Sequence, residues 1–97
     1  MIEVTKSDFA EKTQSGKVVL DFWAPWCGQC KAMAPMMETV EKDAGIPFYK
    51  INVSTETELA DQFGVISLPT LIFMENGVEY NRLTGMKPKG AILNAIK

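Results

Sequence analysis

Residues 21–35 read DFWAPWCGQCKAMAP, and this stretch contains both cysteines of the 97-residue chain. Cys27 and Cys30 are separated by two residues, follow Trp26 directly and precede Lys31. Redox cycling, metal ligation and a structural disulfide all use the C-x-x-C spacing. The residues around the pair therefore have to distinguish among three kinds of chemistry.

The cysteine pair stands where a predicted strand gives way to a predicted helix. Residues 17–23 form an apolar run, β-branched at its start, which predicts a strand buried on both faces. From Cys27 to about Ala44 the apolar residues recur at helical spacing, and Gly45 ends the pattern. Because residues three apart on a helix have Cβ atoms about 5–6 Å apart, the two sulfurs are predicted to lie within reach of a disulfide.

The remaining predicted strands and helices alternate along the chain on both sides of this junction. They are a strand over 2–4, a helix capped by Thr5 with Asp8 three residues on and ending near Gly16, a strand over 47–53, a helix over 55–63 capped by Ser54 or Thr55, strands over 70–74 and 78–83 around Asn76-Gly77, and a helix over 87–96 with Pro88 in its first turn. The order β-α-β-α-β-α-β-β-α predicts one α/β domain over residues 1–97, with helices on both faces of the sheet and an antiparallel hairpin at its edge.

Composition narrows the functional classes. The chain is 46% hydrophobic and 23% charged, as in a globular protein, and its ten basic and twelve acidic residues give a net charge of −2 rather than the basic surface of a nucleic-acid-binding protein. No apolar run approaches the ~18 residues of a membrane span, and the first residues lack the features of a signal peptide. We therefore expect no membrane association and a reducing cytoplasmic location.

The chain has no histidine, which removes Cys–His nucleophilic catalysis and histidine-containing zinc sites. At the start of a helix, the Cys27 sulfur would face unpaired backbone N–H groups and the positive end of the helix dipole, which favour the thiolate. Trp26 and Gly28 are expected to leave an open approach to that sulfur, whereas Cys30 should be shielded. A structural disulfide would close too small a loop to stabilise much, and a metal site shared across a dimer remains an alternative.

Two longer stretches, VVLDFWAPWCGQCKAMAP (residues 18–35) and GVISLPTLIFMENG (residues 64–77), resemble the thioredoxin family, and the resemblance extends over essentially the whole chain. It implies a mixed central sheet of about five strands flanked by about four helices. It also implies dithiol–disulfide exchange with protein disulfide substrates, in which Cys27 attacks and Cys30 resolves. The expected partner is thioredoxin reductase or a similar flavin or dithiol reductase. The chain itself is expected to bind no cofactor and to be a monomer.

Asp21 and Lys50 are charged residues inside predicted core strands. Burial of a lone carboxyl should raise the pKa of Asp21, although an edge strand facing water would avoid this. If the two strands are neighbours, Asp21 and Lys50 meet beneath the cysteines; alternatively, Lys50 extends its ammonium to the surface. By resemblance, Asp21 is the general base that takes the proton of Cys30 through a water, and Lys50 supports it.

Pro69 precedes a predicted strand, and X–Pro bonds are mostly trans, but the resemblance implies a cis bond that faces the cysteine pair. The Leu68 backbone could then pair with an extended substrate peptide, although Leu68 could also be a core residue. The expected substrate-binding residues are Trp26, Gly28, Gln29, Ser67, Leu68, Pro69 and Gly85.

Gln29 departs from the family pattern, which usually has proline between glycine and the second cysteine. Because proline has no N–H, Gln29 restores a backbone donor near Cys27 and is predicted to make the pair more oxidising. The change leaves open a thiol oxidase or isomerase of the same fold. A non-catalytic or metal-sharing binding module is the alternative outside the enzymes.

Overall fold

The computed structural model describes the whole chain, from Met1 to Lys97. The strands are β1 (Ile2–Glu3), β2 (Lys17–Trp23), β3 (Phe48–Asn52), β4 (Thr70–Glu75) and β5 (Val78–Thr84). The helices are α1 (Lys6–Thr13), α2 (Gly28–Ala44), α3 (Thr57–Gln62) and α4 (Lys89–Ile96). The predicted order of elements is confirmed. None of the four helices has the length and apolar character that a membrane crossing requires.

The five strands form one mixed sheet in the order β1-β3-β2-β4-β5. β3 runs parallel to both β1 and β2, whereas β4 is antiparallel to β2 and to β5. The Asn76-Gly77 turn joins β4 to β5 with φ values of 52° and 82°, the left-handed conformation that these two residue types tolerate best. The predicted mixed α/β sheet and its antiparallel hairpin edge are therefore confirmed.

The core has two parts, one on each face of the sheet. Side chains alternate along β2, so Val19 faces α2 and α4 while Leu20 and Phe22 face α1 and α3. On the α2 side lie Val19, Met33, Met37, Val40, Phe48, Leu71, Phe73, Ile92 and Ala95. On the other side lie Val4, Val18, Leu20, Phe22, Ile51, Leu59, Ile72 and Met74. β2 is thus buried on both faces, as predicted.

The predicted start of α1 is confirmed, whereas the predicted starts of α3 and α4 are not. Thr5 caps α1 as expected, and its backbone N–H donates to the Asp8 carboxylate at 2.8 Å. The predicted cap of α3 was wrong, because the Asn52 side chain accepts the Ser54 N–H at 2.9 Å and holds that residue in a turn. As a result α3 starts only at Thr57, with Glu56 as its N-cap. In α4, Pro88 is the N-cap rather than a residue of the first turn.

Candidate active site

The cysteine pair lies at the start of α2, beyond the end of β2. Cys27 is the N-cap residue, and Cys30 is in the first turn of the helix. The two residues form a disulfide, with their Cα atoms 5.3 Å apart. The Cys27 Sγ accepts a hydrogen bond from the Cys30 backbone N–H at 3.2 Å. The helix start therefore presents a backbone donor to the first sulfur, an arrangement that favours its thiolate.

The expected contrast between an exposed Cys27 and a shielded Cys30 was wrong for the disulfide form. Cys27 is 8% exposed and Cys30 is 6% exposed. Both pack with Ala24 in a small cluster that Val53 and Leu68 border. Because these two bordering residues come from segments far along the chain, the local sequence does not show that they cover Cys27. The two cysteines are thus buried to nearly the same degree. They differ in their surroundings, because Cys30 lines a cavity and Cys27 does not.

Asp21 lies in the middle of the central strand, 8% exposed, which excludes the edge-strand alternative. It is the register partner of Lys50 across β2 and β3. Its Oδ1 atom is buried without a hydrogen-bond partner. Burial raises the pKa of the Asp21 carboxyl to about 6, against a smaller lowering by the charge of Lys50. A carboxyl with such a pKa can gain or lose a proton near neutral pH.

A cavity of about 250 Å³ brings Asp21 and Cys30 together. Trp23, Lys50 and residues of α2 complete its wall; the full lining is Met1, Asp21, Trp23, Cys30, Lys31, Ala34 and Lys50. A cavity of this size, with Asp21, Lys31 and Lys50 in its wall, has room for water molecules that connect a carboxyl to a thiol. Helical spacing could have indicated Ala34, which is four residues from Cys30, but no sequence signal pointed to Met1.

The ammonium of Lys50 contacts an aromatic ring. Its Nζ lies 4.2 Å from the centre of the Trp23 ring. Lys50 takes part in none of the five ion pairs of the structure, so it is not paired with Asp21. Lys50 is half-buried, which agrees with the surface alternative as well as with a place in the site. Trp23, which the sequence did not single out for the site, thus contacts a predicted site residue.

The segment before β4 faces the cysteine cluster. The Leu68–Pro69 peptide bond is cis, and Pro69 is buried. The Pro69 carbonyl accepts the Gly85 N–H at 2.8 Å, which brings these two predicted residues together. Leu68 is half-buried and contacts both the α3-side core and the cysteine cluster, so the alternative that it is a core residue also holds. Ser67 is exposed, and its carbonyl accepts the Thr70 hydroxyl at 2.6 Å.

The remaining predicted residues lie at the surface beside the disulfide. Gly28 and Gln29 are exposed in the first turn of α2, and Trp26 is 72% exposed. The Cys27 Sγ accepts its hydrogen bond from Cys30, so the added donor expected from Gln29 does not contact it in the disulfide form. Ile66, which is 98% exposed, adds an apolar side chain that we did not single out from the sequence.

The predicted substrate-binding residues line none of the three cavities of the structure. These residues therefore form an open surface and not an enclosed pocket. Such a surface is suited to an extended peptide, which can form backbone hydrogen bonds and need not bury a whole side chain.

Comparisons with known proteins agree with this geometry. The family model Thioredoxin matches residues 1–97. The thioredoxin of Bacillus subtilis is 38% identical over 94 residues, which cover 95% of this chain and 90% of that protein. The thioredoxin of Mycobacterium tuberculosis is 39% identical over 99 residues, covering 98% of this chain and 85% of that protein.

Two solved structures are similar over nearly the whole chain. Fasciola hepatica thioredoxin has a TM-score of 0.88 and 29% identity, covering 99% of this chain and 96% of that chain. A mutant thioredoxin from Halobacterium salinarum has a TM-score of 0.90 and 27% identity, covering 98% of this chain and 86% of that chain. With a cysteine pair that forms a disulfide at the start of α2, the chain belongs to the thioredoxin family and is a thiol–disulfide oxidoreductase.

Proposed function

We propose that this protein reduces disulfide bonds of other proteins through Cys27 and Cys30. The observation that supports this most strongly is the position of Cys30, which lines the same cavity as a buried carboxyl with an unpartnered oxygen. A disulfide that served stability alone would need no titratable group beside it. A dithiol that must release a proton in each cycle does need one.

In the first step the Cys27 thiolate attacks one sulfur of a substrate disulfide. A bond forms between Cys27 Sγ and that sulfur, and the other substrate sulfur leaves as a thiolate that takes a proton from water. The Cys30 N–H and the positive end of α2 lower the free energy of the attacking thiolate. The product of this step is a mixed disulfide.

In the second step Asp21 accepts the proton of the Cys30 thiol through water in the cavity. The Cys30 thiolate then attacks Cys27 Sγ, the mixed disulfide breaks, and the second substrate sulfur leaves as a thiolate. A pKa of about 6 leaves Asp21 mostly ionised at neutral pH and able to take the proton. Lys50 is the charged residue that modulates this carboxyl.

We propose that substrates bind as extended peptides across the surface formed by Trp26, Gly28, Gln29, Ser67, Leu68, Pro69 and Gly85. The exposed Trp26 and Ile66 offer apolar contacts, and the Leu68 backbone offers hydrogen bonds. Thioredoxin reductase or a similar flavin or dithiol reductase would restore the dithiol. We expect the protein to act as a monomer and in the cytoplasm, where a reducing environment sustains this cycle.

The test is the reduction of insulin by dithiothreitol with the natural protein, Cys27→Ser and Cys30→Ser. We expect the natural protein to accelerate the reaction and both variants to lose turnover. When the reduced variants are mixed with insulin without dithiothreitol, only Cys30→Ser should accumulate a mixed disulfide, because it keeps the attacking sulfur and lacks the resolving one. Turnover retained by Cys30→Ser, or a mixed disulfide formed by Cys27→Ser, would contradict the proposal.

A further inference from the structure

Three side chains meet on one face of the sheet beneath the cysteine pair. Asp21 and Trp23 are two residues apart on β2 and therefore point to the same side. Lys50 is the register partner of Asp21 on the neighbouring parallel strand β3. All three line the cavity that Cys30 also lines. The flexible side chain of Lys50 can thus direct its ammonium toward either of two neighbours, the Asp21 carboxyl or the Trp23 ring.

In the structure, the Lys50 ammonium is directed toward the Trp23 ring. The Lys50 Nζ lies 4.2 Å from the ring centre, well inside the limit of about 6 Å for an attractive cation–π contact. The Asp21 Oδ1 atom has no hydrogen-bond partner, and Lys50 is in no ion pair. Buried charges of opposite sign on adjacent strands ordinarily pair directly. Here the Lys50 ammonium contacts the face of the Trp23 ring instead of the Asp21 carboxylate.

We propose that Trp23 is a positioning residue of this site: the face of its indole ring holds the Lys50 ammonium out of hydrogen-bonding contact with Asp21. The carboxyl is then left free to exchange a proton with Cys30, so this inference rests on the proposed function. A direct ion pair would occupy the carboxylate and stabilise its charged form, which makes it a weaker base. The contact with Trp23 keeps the charge of Lys50 near the site without that pairing.

The other groups that face Asp21 do not replace this effect. From α2, Cys30 and Lys31 line the cavity, and Lys31 is exposed. The amino group of Met1 is engaged by the Glu38 carboxylate at 2.9 Å. From β4, the register partner of Asp21 is the uncharged Leu71. Lys50 is therefore the cation whose distance from Asp21 the ring determines, in agreement with its lowering of the Asp21 pKa.

The test is a double-mutant cycle read out as the pKa of Asp21, measured by NMR titration of its carboxyl carbon in the disulfide form. The four proteins are the natural chain, Trp23→Leu, Lys50→Met and the double variant. The effect of Lys50 is the change in the Asp21 pKa that Lys50→Met causes, measured once with the Trp23 ring present and once with it absent. Because the added hydration that Trp23→Leu causes occurs in both arms, it cancels in the difference.

We expect Lys50 to lower the Asp21 pKa by about one unit more when the ring is absent than when it is present, a tenfold change in the acid constant. Trp23→Phe keeps a ring face and loses the indole N–H, so in its background the effect of Lys50 should stay close to that in the natural chain. If Trp23→Leu does not fold, Trp23→Met provides the non-aromatic arm. Lys31→Met is the matched control, and its effect should not depend on Trp23.

An effect of Lys50 that is equal or smaller without the ring would overturn the proposal. The proposal would also be overturned if Lys50 lowered the Asp21 pKa as much in the Trp23→Phe background as in the Trp23→Leu background. A purely structural role of Trp23 would change stability but leave the coupling at zero. Because the titration involves no turnover, it can fail while insulin reduction succeeds, and the reverse outcome is equally visible.

Discussion

The two faces of β2 differ although they belong to one strand. Val18, Leu20 and Phe22 point to the α1 and α3 side, into a cluster of apolar side chains. The buried polar side chains on this side, Thr13 and Thr70, donate their hydroxyls to backbone carbonyls. The opposite face begins with the buried Val19 but continues with Asp21 and Trp23, each of which has a buried polar atom without a hydrogen-bond partner. One face of β2 therefore supports the fold, while the other lowers stability by burying polar groups of the site.

The cost on the second face follows from general magnitudes. Leaving a buried donor or acceptor unsatisfied costs about 1–3 kcal/mol. On the first face, a fully buried aromatic side chain stabilises the fold by about 1.5–3 kcal/mol, enough to offset one such group, because it removes a large apolar area from water. The strand can accommodate Asp21 because its other face is fully packed. The following experiments test this division between the two faces.

The largest effect is expected on the apolar face. Phe22→Ala should lower the free energy of unfolding by about 3–5 kcal/mol, since Phe22 is fully buried and its ring contacts that of Phe63 at 5.7 Å between centroids. Urea denaturation of the disulfide form measures this loss. The loss should be the same at pH 4 and pH 7.5, because no titrating group is involved. A loss that changes with pH would show that the two faces are not independent.

On the opposite face, Asp21→Asn should make stability less dependent on pH. The Asp21 pKa is about 6 in the folded protein and has an ordinary value of 3.8. Below the lower value both states hold the proton, so the penalty is absent. As pH rises from 3.8 to about 6, the unfolded chain ionises while the folded chain keeps its proton, and stability is lost. Above about 6 both states are ionised and the loss is complete.

This difference in pKa corresponds to about 3 kcal/mol. We expect the stability of Asp21→Asn relative to the natural protein to increase by about that amount between pH 3.5 and 7.5, measured by urea denaturation. Asp61→Asn, at an exposed position, is the matched control and should show no such trend. Parallel pH profiles for Asp21→Asn and the natural protein would mean that the carboxyl titrates normally.

A smaller effect is expected at the helix start, next to the second face. Gln29→Pro removes a backbone N–H that can reach the Cys27 thiolate in the reduced form, although it does not contact Sγ in the disulfide. We expect a potential more negative by up to about 30 mV, since for this couple 30 mV corresponds to about 1.4 kcal/mol. Equilibration with glutathione measures it. Gln29→Ala keeps the amide and should match the natural protein; equal potentials for Gln29→Pro and the natural chain would refute the role of the donor.

The parts of the fold that depend on local patterns could be predicted from the sequence. The apolar run of β2, the helical stripe of α2 and the Asn76-Gly77 turn each determine their own conformation. The cap of α3 could not, because the Asn52 side chain from the preceding strand binds Ser54. The start of a helix can thus depend on a competing side chain that propensities do not weigh.

The site shows the same limit. The sequence placed Asp21 beside Lys50 only on the condition that their strands are neighbours, and the sheet order meets that condition. The burial of Cys27 was missed, and the cluster to which it belongs is packed by Val53 and Leu68, which are distant in sequence. The contact between Lys50 and Trp23 was missed because a lysine side chain has many rotamers, and only the packed structure selects one.

The central claim is that Asp21 takes the proton of Cys30. The most direct measurement is the pH dependence of the second step in single-turnover reduction of a disulfide substrate. It is followed at substrate concentrations high enough that the rate no longer depends on them. For the natural protein we predict a rate that rises with pH around a midpoint near 6, matching the Asp21 pKa. Asp21→Asn should lower the plateau rate by about 10²–10⁴-fold and lose that midpoint. If Asp21→Asn had the same pH midpoint and the same plateau rate as the natural protein, the result would contradict the account.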